Sequence, residues 1–115
     1  MSLNIDQLLE KINGKKLTAE VDQNSIEITG GYVSDLLSDV MGNSKEGDAW
    51  ITIMRHMNVI AVASMVGLPV IVFAKGLEPE EAVINKALSE GICLINSPLS
   101  TFEIAGSLFN LLNDS

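Results

Sequence analysis

The sequence is short of cysteine, histidine, basic residues and aromatics, and each shortage removes a class of function. A single cysteine, Cys93, forbids an intrachain disulfide. One histidine and one cysteine cannot build a structural zinc site, which draws on several such ligands. Lysine and arginine together number 7 against 15 acids, for a net charge of −8. The lysines are scattered rather than gathered into a stripe, so no binding to nucleic acid or to an anionic membrane is expected. Aromatics are 4% of the chain, so its core must be aliphatic. The longest apolar stretch, residues 59–72, is interrupted by Ser64, Gly67 and Pro69; a membrane-spanning helix needs about 20 apolar residues. The first residues lack a basic flank followed by an apolar run, so no secretory signal is expected. Cys93 lies in the apolar run 91–95 with no cation or helix start beside it, the setting of a small buried hydrophobe. Together these features suit a cytoplasmic protein.

The motifs of several enzyme classes are missing as well. A phosphate-binding loop needs Gly-x-x-x-x-Gly-Lys-Ser/Thr between a strand and a helix. Gly42 and Gly47 have the glycine spacing, but Asp48-Ala49 follows them. Gly14-Lys15-Lys16 lacks both the upstream glycine and the hydroxyl. No Gly-x-Gly-x-x-Gly fingerprint follows a strand, and no Gly-x-Ser-x-Gly elbow is present. The paired acids Glu80 and Glu81, and Asp35 and Asp39, read as solvated helix faces. No cofactor and no catalytic residue is indicated.

What is present is enough apolar residue, 47% of 115, to form a core without a staple, and residues 1–115 read as one domain. Helical spacing of Ile5, Leu8, Leu9 and Ile12 predicts a helix over 4–12, with Asn4 and Gln7 at capping-box spacing. Strands are expected at 15–21 and 26–29, with Asp22-Gln23-Asn24-Ser25 as the turn between them, and Gly30-Gly31 then breaking the extended run. Further helices are expected at 34–41, 59–66, 78–90 and 100–112, and further strands at 49–54, 69–74 and 92–96. Gly42 is expected to stop the second helix, Asn58 to cap the third, and Pro79 to open the fourth. Ser100 and Glu103 have capping-box spacing at the start of the fifth. The helix over 59–66 is apolar on nearly every side, which points to burial on more than one face or to a partner. Trp50 reads as packed in a core or a dimer interface, and Met54, Met57 and Met65 as packing residues.

From residue 49 onward, strands and helices alternate. This predicts a three-layer α/β/α sandwich around a mostly parallel mixed sheet of about five strands, with the opening helix and strand pair as an antiparallel edge. In such a sheet, ligands lie beyond the carboxyl ends of the strands. The only arginine and the only histidine, Arg55 and His56, fall there together, just before Asn58. A fork, a donor and a free helix start suit a phosphate or carboxylate. The same residues also fit ordinary surface and capping roles. Gly30, Gly31 and Tyr32, Lys75 and Gly76, and Ser100 and Thr101 are expected at the same rim. There the glycines would admit close backbone approach and Tyr32 would stack on a base.

Four segments together suggest a family: residues 28–37 (Ile-Thr-Gly-Gly-Tyr-Val-Ser-Asp-Leu-Leu), 50–53 (Trp-Ile-Thr-Ile), 67–72 (Gly-Leu-Pro-Val-Ile-Val) and 97–103 (Ser-Pro-Leu-Ser-Thr-Phe-Glu). Nearly the whole chain resembles the DRTGG domain, most closely its stand-alone members, which are similar to the N-terminal domain of HPr kinase/phosphorylase. Where members carry Gly-Asp-Arg after the third strand this chain has Met54-Arg55-His56, so only Arg55 corresponds. Where they carry Thr-Gly-Gly after the fourth it has Ala74-Lys75-Gly76, so only Gly76 does. The resemblance implies an α/β/α domain with a regulatory or dimerising role and no catalysis of its own. The reading that follows is a regulatory module, homodimeric, sensing a small anionic ligand such as a nucleotide. The alternative is a protein-interaction subunit with no small-molecule ligand.

Overall fold

In the computed structural model, which describes residues 3–21 and 26–114, a five-stranded sheet has the order β1-β5-β4-β3-β2. The strands are β1 (Lys15–Lys16), β2 (Gly30–Val33), β3 (Asp48–Thr52), β4 (Val70–Phe73) and β5 (Cys93–Asn96). The helices are α1 (Ile5–Lys11), α2 (Leu37–Asn43), α3 (Met57–Val66), α4 (Glu81–Glu90) and α5 (Thr101–Asp114). Strands β2 to β5 are mutually parallel and β1 is antiparallel to β5. The expected α/β/α sandwich with a mostly parallel mixed sheet is therefore the observed fold.

Both faces of the sheet are covered because β3 and β4 are buried at every position. On one face Ile5, Leu8 and Ile12 of the first helical segment and Ile104 and Leu108 of α5 pack on Ile51, Val72 and Ile95. On the other, Val40, Val59, Ile60, Ala63, Val83 and Ala87 of α2, α3 and α4 enclose Trp50, Ile71, Phe73 and Leu94. Trp50 is a core residue, fully enclosed, with its indole N–H donating to the Ser34 carbonyl at 2.9 Å. The methionines do not form a packed cluster: Met57 and Met65 are exposed and only Met54 leans on the core. Helix α3 buries one face, through Val59, Ile60, Val62 and Ala63, and leaves Met65 in solvent.

The largest departure from the sequence reading concerns the first two strands. They do not pair with each other but take opposite edges of the sheet. Strand β1 ends at Lys16 because Thr18 turns inward and its hydroxyl accepts the Leu94 N–H at 3.0 Å, taking over a backbone position. The segment expected as strand two forms only a bridge between Leu3 and Ile28, and β2 begins where a break was expected, at Gly30. The double glycine is there for space rather than for a turn. A Cβ on Gly31 would stand 2.5 Å from Leu108 Cδ2, and one on Gly30 would collide with the Asp48 carboxylate. The turn expected at 22–25 lies outside the described residues.

Helix boundaries shift for identifiable reasons. Helix α2 starts at Leu37 because Ser34 and Asp35 are engaged elsewhere, and it runs through Gly42 to Asn43. Helix α3 starts at Met57 with His56 at its N-cap, so Asn58 lies inside the first turn and does not cap it. Helix α4 starts at Glu81 after Glu80, leaving Pro79 ahead of the helix. Both capping boxes form as expected. Asn4 and Gln7 bond reciprocally, and Ser100 and Glu103 do the same at 3.1 and 3.2 Å. Cys93 is buried, and loss of solvent pushes its thiol pKa up.

Candidate functional site

Because β3 and β4 are parallel and in register, with Thr52 beside Phe73, their exit loops emerge at one rim. Between those loops lies a cleft of about 530 Å³. Its walls are Asp35, residues 53–57 leading into α3, residues 78–80 leading into α4, and Ala82 and Val83. Neither α3 nor α4 has a side-chain cap, so both present backbone N–H groups and a positive dipole end near the opening.

Arg55 and His56 stand on the β3 side. Both are exposed, and the Arg55 guanidinium reaches the Glu78 carbonyl across the cleft at 3.5 Å. The carboxyl groups of Asp35, Glu78 and Glu80 share this lining, so Arg55 is the one full positive charge among three acids. Such a mixture does not suit a naked polyanion. It suits a ligand with an anionic group for the guanidinium and hydroxyl or amino donors for the carboxylates.

Asp35 holds the rim together. Its carboxylate accepts from the Thr52 hydroxyl at 2.7 Å and from the Ile53 N–H at 3.0 Å. The same Thr52 oxygen accepts the Met54 N–H at 3.1 Å. Thus the loop carrying Arg55 and His56 is anchored to the exit of β2 at its very start. Sequence reading placed Asp35 on a solvated helix face. The signal available was its place between a strand and a helix, where a short carboxylate bonds backbone N–H groups instead.

The other expected site residues divide. Lys75 and Gly76 are at the same rim, in a turn in which Lys75 takes φ 62°. Their N–H groups donate to the carbonyls of Leu99 and Ser97, both at 2.8 Å, which ties the β4 exit to the β5 exit and away from the cleft lining. Ser100 and Thr101 open α5 on the opposite face, with the Ser100 hydroxyl engaged by Glu103. Asn58 is exposed on α3 and does not line the cleft. Gly30 begins β2 beside Asp48 and so lies at the amino-end rim, the far side of the sheet from Arg55. Gly31 faces α5. Tyr32 is held by its hydroxyl donating to Asp39 at 2.8 Å and does not stand over the cleft as a stacking platform. Of the ten expected site residues, the structure brings only Arg55 and His56 into the cleft; Gly30, Gly31 and Tyr32 miss it because β2 begins at Gly30, four residues later than expected.

Asp39 is more than a solvated acid. Hydrogen bonds from Ser34, Tyr32 and Asn43 hold its carboxyl below the usual carboxylate range, and the bond to Asp39 raises the Tyr32 pKa. Among the described residues no group of three or more His, Cys, Asp or Glu is placed to hold a metal ion. No described helix is long and apolar enough to cross a membrane.

The arrangement is that of a three-layer α/β/α domain with an open cleft at the carboxyl rim of its parallel strands. No protein-family model matches the sequence, and no curated protein sequence matches it. A solved structure does share the fold: the CBS and DRTGG domains of the regulatory region of Clostridium perfringens pyrophosphatase, complexed with activator, diadenosine tetraphosphate. The superposition has a TM-score of 0.72 at 18% sequence identity and covers 90% of this chain. This chain spans 46% of the length of that one, a little under half.

Proposed function

We propose that this chain is a regulatory module of the DRTGG type, without catalysis of its own, that dimerises and senses a small anionic ligand of nucleotide type. The ligand sits in the cleft beside Arg55 and His56. The observation that carries this reading is that cleft. It collects the only arginine and only histidine of the chain between two uncapped helix starts, at the rim where parallel α/β sheets take ligands. The similar fold of a regulatory region complexed with diadenosine tetraphosphate supports the same reading. So does the mixed lining, with Arg55 for a phosphate and carboxylates for ribose or base donors.

Thermal-shift and calorimetric titration with AMP, ATP, diadenosine tetraphosphate and inorganic phosphate test it. A ligand at 100 times its Kd stabilises the folded chain by about 2.7 kcal/mol. The expected result is a stabilising response to a nucleotide that Arg55→Ala reduces at least tenfold in affinity. No response from the wild-type protein to any of the four overturns ligand sensing. A response unchanged by Arg55→Ala moves the site elsewhere. The second reading, an interaction subunit without a small ligand, is favoured by one observation: Val33 and Phe109 are exposed apolar residues that line one apolar groove between β2 and α5.

A further inference from the structure

The cleft between the β3 and β4 exits holds an arginine that nothing in its own chain neutralises. Asp35, Glu78 and Glu80 line the same cleft, yet among the described residues Arg55 forms an ion pair with none of them. Its hydrogen bond to the Glu78 carbonyl is long, at 3.5 Å, so most of its N–H donors stay open. The carboxylates of Glu78 and Glu80 are exposed and accept no hydrogen bond from the described residues. Asp35 differs. The Thr52 hydroxyl and the Ile53 N–H both bond its Oδ1, which fixes its charge at the mouth so that it cannot swing away. The nearest lysines in sequence do not offset these acids. Lys75 does not line the cleft, and Lys86 of α4 pairs with Glu90 one turn on, at 3.7 Å. The rest of the lining offers apolar surface: Ile53 and Met57 are 37% and 42% exposed there.

We propose that this cleft selects a nucleoside monophosphate over its di- and triphosphate, with Glu78 and Glu80 as the residues that set the limit. The proposal rests on the ligand sensing proposed above and names the class of ligand. One phosphate suits the open fork of Arg55. A second or third would find no further cation in the lining and would add negative charge beside three carboxylates. The same carboxylates reward a nucleoside, because they accept from ribose hydroxyls and from an exocyclic amino group. Ile53 and Met57 give the base an apolar wall, the mixture of apolar surface and few polar groups that small-molecule sites show. Inorganic phosphate would leave both the acceptors and the apolar wall unused.

Calorimetric titration of the full chain with adenosine, AMP, ADP, ATP and inorganic phosphate tests this, with EDTA present so that no divalent cation masks the phosphates. AMP is expected to bind at least tenfold tighter than adenosine, ATP or inorganic phosphate, with ADP between AMP and ATP. Glu78→Gln and Glu80→Gln keep an acceptor and remove a charge at exposed positions, and circular dichroism confirms their folding. Each is expected to raise the affinity for ATP at least threefold and to leave that for AMP within twofold. Arg55→Ala is expected to bring AMP down to the level of adenosine. ATP binding as tightly as AMP, with Arg55→Ala weakening both, overturns the phosphate limit and leaves nucleotide sensing in the cleft standing. Glutamine variants that lower both affinities together, or leave their ratio unchanged, overturn the role of the two glutamates. A wild-type chain that binds none of the nucleotides overturns the sensing reading and this proposal with it.

Discussion

The carboxylate of Asp35 accepts the Thr52 hydroxyl at 2.7 Å, joining two chain segments 17 residues apart at the mouth of the cleft. Thr52 is fully buried and the Ile53 N–H shares the same carboxylate oxygen. One acid therefore closes off the end of β3 and directs the loop that carries Arg55 and His56.

Removing that acid should loosen the rim before it unfolds the protein. Asp35→Ala leaves a buried hydroxyl and a backbone N–H without their acceptor. Hydrogen bonds to charged groups contribute about 1.5–3 kcal/mol, and the partial exposure of Asp35 places the expected loss toward the low end. Urea unfolding should show the loss. Hydrogen exchange should show Ile53 and Met54 losing protection ahead of Ile51.

Thr18→Val is a nearly isosteric change with a large expected effect. The Thr18 hydroxyl accepts the Leu94 N–H at 3.0 Å in the interior, where no water replaces it. An unpaired buried donor costs about 1–3 kcal/mol, so stability should fall by that amount although no volume is lost. Faster amide exchange at Leu94 would locate the cause.

Gly31→Ala should destabilise through crowding of α5 rather than through backbone strain. The new methyl would stand 2.5 Å from Leu108 Cδ2, and over-packing of this kind costs about 1–3 kcal/mol. Shortening the opposing side chain should relieve it. In a double-mutant cycle, Gly31→Ala with Leu108→Ala should be less damaging than the sum of the two changes.

Acid should weaken the contact between β2 and α2. The Asp39 carboxyl is held below the usual carboxylate range by hydrogen bonds from Ser34, Tyr32 and Asn43. A depressed carboxyl pKa contributes stability that is present above the unfolded value and is lost as pH falls through the folded one. The wild-type urea midpoint should therefore decline below about pH 4, and Asp39→Asn should decline less over the same range. The Tyr32 phenol has the opposite sign. Its pKa is raised, chiefly by the bond to Asp39, so its contribution is present below the ordinary phenol range and is lost as pH climbs through the folded value. Tyr32→Phe should flatten the alkaline side of the profile.

Several of these relationships were open to sequence reading and several were not. Both capping boxes were visible because their partners stand three residues apart. The parallel core was visible because β4 is a continuous apolar run between helical patterns, and the placement of Arg55 and His56 at its carboxyl rim followed from that alternation. Strand β2 was misplaced because two adjacent glycines look the same at a turn as at a crowded strand position. Only the approach of the Asp48 carboxylate to Gly30 and of Leu108, from a helix more than 70 residues on, to Gly31 distinguishes them. The cleft lost Gly30, Gly31 and Tyr32 for that same reason.

The sequence by itself determined the alternation of strands and helices, the capped helix starts, the aliphatic core and the pairing of the only arginine with the only histidine at a strand end. These depend on periodicity and on bonds within a turn of chain, where the partners are already neighbours. The tertiary structure decided which strands became edges, why β1 stops at Lys16, which acid anchors the cleft and which stripe of α5 stays uncovered. Those outcomes hang on contacts such as Thr18 with Leu94 and Ser97 with Ile12, 76 and 85 residues apart, which no local pattern encodes. They exist only once both faces of the sheet have been packed.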